Sequence, residues 1–108
     1  MKLSDEELFA LIFTFKNDSN FKTEYLKNSY VIERTNSGVG FFSTIKVDES
    51  VGHFANSKKY WERTFRHRYM PYGGCFMVRL EDNLQLELEA VAFESLWPEN
   101  FVQSDFYE

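Results

Sequence analysis

The stretch Phe76-Met77-Val78-Arg79-Leu80-Glu81-Asp82-Asn83-Leu84-Gln85-Leu86-Glu87-Leu88-Glu89-Ala90 decides the fold. Side chains of a strand alternate between two faces. Phe76, Val78 and Leu80 therefore share one face before the polar break, and Leu84, Leu86, Leu88 and Ala90 share one after it. Two such runs around a short polar loop form an antiparallel hairpin. A two-residue turn would oppose Val78 with Glu87 and Leu80 with Gln85, mixing apolar and polar partners. A three-residue loop, Glu81-Asp82-Asn83, opposes Leu80 with Leu84, Val78 with Leu86 and Phe76 with Leu88. The hydrophobic pattern selects that loop, because a one-residue slip turns every side chain over. Such a loop is usually a type I turn followed by a left-handed residue, a conformation that Asn83 tolerates. The outer face then sets Met77 against Glu87, Arg79 against Gln85 and Cys75 against Glu89.

Upstream, Met70-Pro71-Tyr72-Gly73-Gly74 reads as a turn. Residues 60–69 alternate as a strand, with Trp61, Phe65 and Tyr69 on one side and Glu62, Thr64, Arg66 and Arg68 on the other; a helix pairing Trp61 with Phe65 is the competing reading. Residues 48–57 are polar and read as a loop. Residues 30–34 and 39–47 form a first hairpin about Asn36-Ser37-Gly38, with Val39, Phe41, Ile45 and Val47 on one face of the return strand. Loops of two and three residues both fit this hairpin, and residues 21–28 fit either a short helix or a strand entry. The chain opens with a helix. Ser4 and Glu7 form a capping box, Leu3 and Leu8 stand at the positions of a hydrophobic staple, and Asp5, Glu6 and Glu7 load the positive end of the dipole. Leu8, Leu11, Ile12 and Phe15 recur as one helical face, and Asn17-Asp18-Ser19-Asn20 ends the helix. Downstream, Pro98 closes the strand region and residues 100–108 form an acidic, aromatic tail. The expectation is a single α+β domain over residues 1–108, with an N-terminal helix packed on an antiparallel meander of about five strands.

Twenty of the 108 residues are Phe, Tyr or Trp. A disordered chain is poorer in aromatics, and so small a body cannot bury all of these. Some belong on the surface, where such rings are typical of interfaces. The single cysteine, Cys75, excludes an internal disulfide and points to a reducing compartment. The first residues show no signal-peptide pattern, and the longest apolar run, residues 8–13, falls far short of the ~20 residues of a membrane span. A cytoplasmic location is expected. The net charge is −5, unevenly spread. Residues 58–68 hold Lys58, Lys59, Arg63, Arg66 and Arg68 against Glu62 alone, whereas from residue 69 onward one base, Arg79, meets eight acids, a balance of −7. Such asymmetry bears on partners rather than on fold.

Candidates for catalysis are few. His67 stands among arginines and aromatics, but no motif fixes a second catalytic group beside it, and it reads as a surface or sheet-packing residue. Cys75 has no Cys-x-x-Cys partner and no helix start to lower its pKa, and reads as a buried structural thiol. Glu87 and Glu89 could do acid–base work or hold a hard cation, but alternation on a solvated strand explains them without either. No metal site and no cofactor are expected. The basic-aromatic segment 58–69 could follow a phosphate backbone while its rings stack on bases, but the acidity of the rest of the chain would repel nucleic acid.

Two stretches carry a resemblance. Gly38-Val39-Gly40-Phe41-Phe42-Ser43-Thr44 resembles a hairpin strand of small bacterial proteins of unassigned function. Gly74-Cys75-Phe76-Met77, Leu88-Glu89-Ala90 and Trp97-Pro98 look like their last hairpin and its exit, with Ala90 where their pattern has a glycine. In length, acidity and aromatic content the chain is also similar to the immunity proteins encoded beside bacterial toxins, including those of contact-dependent growth inhibition. That resemblance implies a non-enzymatic protein that binds and neutralises a cognate toxin domain, often a basic nuclease, in the cytosol. The binding surface expected from charge is the acidic side of the last hairpin and the C-terminal segment. There Glu87, Glu89, Glu94, Glu99 and Asp105 would supply charge, and Trp97 and Phe101 apolar anchors. The alternatives are a small enzyme or ligand-binding domain with a pocket between helix and sheet, converging on His67 or Glu89, and a nucleic-acid-binding module using residues 58–69.

Overall fold

A computed structural model describes residues 1–108. The elements in chain order are α1 (Asp5–Phe15), β1 (Tyr30–Asn36), β2 (Gly40–Lys46), α2 (Glu49–Ala55), β3 (Tyr60–His67), β4 (Met70–Glu81), β5 (Gln85–Ala92) and β6 (Phe106–Tyr107), with 3-10 turns at Thr23–Leu26 and Gln103–Asp105. The N-terminal helix packs on an antiparallel sheet, as the sequence leads one to expect. The sheet has six strands in the order β1-β2-β5-β4-β3-β6, which corrects the simple meander. The connection that carries α2 runs past the β4–β5 loop, where the Val47 N–H donates to the Leu84 carbonyl and the Leu80 N–H to the Lys59 carbonyl. It delivers β3 to the far side, so β5 and not β3 pairs with β2.

The capping box forms: Ser4 Oγ accepts from the Glu7 N–H, and the Ser4 N–H donates to Glu7 Oε1 at 2.8 Å. The buried stripe of α1, however, runs through Glu7, Ala10, Leu11, Thr14 and Phe15, with Phe13 beside it. Leu8 is exposed and Ile12 lies on the flank, so the expected face is turned by part of a helical step. The ion pair of Glu7 with Arg34 on β1 holds that rotation.

The last hairpin keeps its predicted faces but not its predicted register. Leu80 pairs with Leu86, Val78 with Leu88 and Phe76 with Ala90, and on the other face Met77 meets Glu89, Arg79 meets Glu87 and Cys75 meets Val91. The three-residue loop is 82–84, and Leu84 rather than Asn83 is left-handed, with φ 58°. Leu84 is drawn there because its side chain packs on the core and its carbonyl is taken by Val47. The slide is two residues, so no side chain changes face. Leu86 is fully buried. Leu86→Ala is therefore expected to cost about 2–5 kcal/mol, read from denaturant unfolding; an unchanged midpoint would mean that the hairpin is inside out.

Four other expectations are corrected. Residues 49–55 are a helix, not a loop: Asp48 caps it by accepting from the Ser50 N–H, and Val51, Phe54 and Ala55 are buried at helical spacing. The turn expected at 70–74 lies at Arg68-Tyr69, and β4 starts at the buried Met70. Gly73 and Gly74 are strand residues, and a Cβ on Gly74 would meet the Val91 carbonyl at 2.3 Å. Tyr69 points out, and His67 takes its place on the buried side of β3. The C-terminal tail returns to the sheet. The Trp97 N–H donates to the Gly38 carbonyl, the Arg68 N–H donates to the Asp105 carbonyl, and Phe106 and Tyr107 pair with β3. In the first hairpin the shorter loop is the one adopted: the Ser37 N–H donates to the Gly40 carbonyl across Gly38-Val39, and a bulge at Ile32 turns that side chain out.

One face of the sheet packs against α1, α2 and the C-terminal segment. Its core centres on Phe76, whose ring touches Phe9, Phe13, Phe65, Trp97 and Phe106.

Candidate functional site

Strand alternation leaves the other sheet face to solvent. Strand pairing sets side by side on it Thr35, Phe42, Glu89, Met77 and Glu62, and in the next row Glu33, Thr44, Glu87, Arg79 and Tyr60. Lys46, Gln85 and Glu81 form a shorter third row. Two large rings stand exposed on this face, Phe42 at 40 % and Tyr60 at 48 %. Around them stand Glu33, Glu62, Glu81, Glu87 and Glu89 against the cations Arg79, Lys46 and, toward the β6 edge, Arg66, so the field is acidic.

The acids are not equivalent. Glu87 accepts from Thr44 Oγ1 at 2.9 Å and from Gln85 Nε2 at 3.3 Å. Glu81 accepts from Arg79 Nε at 2.6 Å, and this contact raises the Arg79 pKa, with Glu87 and Glu89 adding to it. Glu62 accepts from the Tyr60 hydroxyl at 2.8 Å. Glu89 is exposed and accepts no hydrogen bond from the chain. Cys75 lies between Val91 and Thr64 on this face but is buried. Burial, with Glu62 and Glu89 nearby, pushes its thiol up to about 11, so it stays protonated at neutral pH.

The residues expected to bind a partner fall in two places. Glu87 and Glu89 lie on the open face. Trp97 and Phe101 lie on the helix side: Trp97 Nε1 donates to Glu6 Oε2 at 2.9 Å, and Phe101 packs on Phe9 and Phe106. Glu99 borders the same end of α1 as Phe101, Glu94 occupies the exposed turn after β5, and Asp105 sits beside His67 at the sheet edge. Phe42, Met77, Glu62 and Tyr60 were missed. The period-two pattern of β2 does mark Phe42 as an outward aromatic, but its neighbours come from strands distant in sequence.

His67 is a packing residue. Its ring meets Phe106 edge-on at 4.5 Å, and Nδ1 accepts from the Tyr69 N–H at 3.0 Å. Burial lowers its pKa, partly opposed by Asp105. Of the basic segment only Arg63 is part-buried, while Lys58, Lys59, Arg66 and Arg68 are exposed. Arg63 donates to the Phe13 carbonyl and pairs with Glu108, Lys59 pairs with Asp82, and Lys58 lies over the Trp61 ring. A groove of about 500 Å³ runs along the outer flank of α1 between Leu8, Ile12 and Phe101. Neither His67 nor Glu89 lines any of the five principal grooves. No three His, Cys, Asp or Glu side chains are grouped as metal ligands, and no helix is long and apolar enough to cross a membrane.

The resulting class is a helix-backed antiparallel sheet with one acidic, aromatic face uncovered. Comparisons with protein-family models, curated proteins and solved structures find no match to this chain.

Proposed function

We propose that the chain is an immunity protein: it binds a basic toxin domain, a nuclease, in the cytosol and neutralises it by occupying it, without catalysing a reaction. The observation that carries this reading is the open sheet face, where the exposed rings Phe42 and Tyr60 stand among Glu33, Glu62, Glu87 and Glu89. Apolar anchors inside a charged surround match the anatomy of a specific interface. A negative field speeds encounter with a positive partner and rejects acidic ones. The buried packing of His67 and the raised pKa of Cys75 support binding over catalysis. Arg63, held by the Phe13 carbonyl and Glu108, is withdrawn from the basic segment on which the nucleic-acid reading depends. Within this reading the docking face is the open sheet, and Trp97 and Phe101 serve the helix-side packing.

The test is coexpression with the toxin domain encoded by the neighbouring reading frame. The wild-type chain is expected to restore growth and, purified, to inhibit in a one-to-one titration. Glu87→Lys/Glu89→Lys should remain folded by circular dichroism and associate at least about tenfold more slowly at low salt. No protection by the wild type would reject the immunity reading. Full protection by the double variant would move the docking face elsewhere.

A further inference from the structure

We infer that Phe42, Glu89, Met77 and Glu62, side by side across four strands of the open face, form a seat for an arginine side chain of the partner. The inference rests on the docking-face reading and gives it a chemical specificity.

The four residues come from β2, β5, β4 and β3 by direct cross-strand pairing. The two carboxylates flank Met77 at about 10 Å between their backbones, twice the strand spacing. Both keep acceptor capacity to spare. Glu89 accepts nothing from the chain, and Glu62 takes only the Tyr60 hydroxyl. Glu87 and Glu81, by contrast, are held by Thr44, Gln85 and Arg79. Glu33 also accepts nothing from the chain, but the carboxylate across Thr44 from it, Glu87, is already held, so it is across Met77 that two under-used carboxylates face each other.

The floor of the seat selects among cations. Met77 is half-buried, and its flexible, polarizable thioether suits an aliphatic stem. The guanidinium of an arginine is a flat fork of five N–H donors, which can address carboxylates on two sides while its face lies on a ring. Phe42, paired with Glu89, supplies that ring. A lysine ammonium is compact and strongly hydrated, and does not match the flat geometry. The next row holds a precedent inside the chain: Arg79 lies along its own strand with Nε on Glu81.

Two blocked decapeptides, alternating Arg-Gly and Lys-Gly, serve as probes against the full chain at low salt, with Kd measured by calorimetry and contacts by backbone amide shifts. The arginine peptide is expected to bind about threefold tighter or better, with shifts at Met77 and Glu89. Glu62→Gln and Glu89→Gln should each weaken it about threefold, the scale of one exposed ion pair, and together abolish the preference over lysine. Equal affinities, a preference that survives the double variant, or shifts confined to residues 94–108 would each overturn the seat. The two readings fail separately. Arginine preference without toxin neutralisation removes only the immunity reading. Neutralisation lost in Glu87→Lys/Glu89→Lys, with equal peptide affinities, removes only the seat.

Discussion

Phe76→Ala is expected to destabilise the protein by about 3–5 kcal/mol. The residue is fully buried on β4, one of the two central strands, and its ring lies 4.7 Å from that of Phe65 and within 6.2 Å of Phe9, Phe13, Trp97 and Phe106. Those partners come from β3, from α1 and from the C-terminal segment, so one truncation opens a cavity where three parts of the fold meet. None of them can close it without leaving its own packing. A domain of this size has a total stability of only about 5–15 kcal/mol, so the loss is a large fraction. Denaturant unfolding measures it, and the near-ultraviolet circular dichroism of the aromatic cluster should weaken in parallel. The control is Phe42→Ala, the same change on the same sheet but on the solvent side, expected to stay within about 0.5 kcal/mol. Comparable losses at the two positions would mean that the open face is covered and is not available to a partner.

That contrast also marks how far the sequence could be read. Period-two alternation is a local property. The faces of β3, β4 and β5 were therefore legible, and the separation of Phe76 from Glu87 and Glu89 follows from it. Register was less so, because a slide of two residues preserves every face, and the position of the loop depended on Leu84 being taken by Val47 from a distant segment. The short helix after Asp48 was hidden by polar residues between Val51, Phe54 and Ala55, although the Asp48 cap and that spacing were available. The strand order, and with it the meeting of Phe42, Glu89, Met77 and Glu62, was not legible. It depends on which strands pair across the β2–β3 connection, and no local pattern encodes that. The C-terminal residues look like a charged tail in sequence, because Phe101 and Phe106 are spaced for neither a helix nor a strand. Only the closure of the aromatic cluster explains them.

Glu7 is legible as a cap and nothing more, yet replacing it is expected to have an effect as large as that of Phe76. It is 1 % exposed, and its carboxylate accepts from the Ser4 N–H, from Arg34 Nε at 2.8 Å and Nη2, and from Ser43 Oγ at 2.5 Å. It thereby clasps the start of α1 to β1 and β2. Glu7→Ala removes the anion, leaves the buried Ser43 hydroxyl without its acceptor and frees Arg34, at an expected cost of about 3–5 kcal/mol. A third of the Arg34 side chain remains exposed and can rehydrate, which places the loss toward the lower end. Burial pushes the Glu7 carboxyl up, but the hydrogen bonds from Arg34, Ser43 and Ser4 together outweigh it and hold its pKa at about 2, against an ordinary 4.5. As pH falls, the unfolded chain takes up this proton first. The stability that Glu7 contributes is therefore complete above pH 4.5 and is lost as pH drops toward 2. Glu7→Gln isolates that contribution, since it keeps the shape while other carboxylates titrate alike in both proteins. Urea midpoints measured from pH 6 downward should show a wide gap between the two proteins at pH 6, narrowing toward pH 2. A gap of constant width would mean that Glu7 acts through packing alone and that its charge does not hold the helix to the sheet.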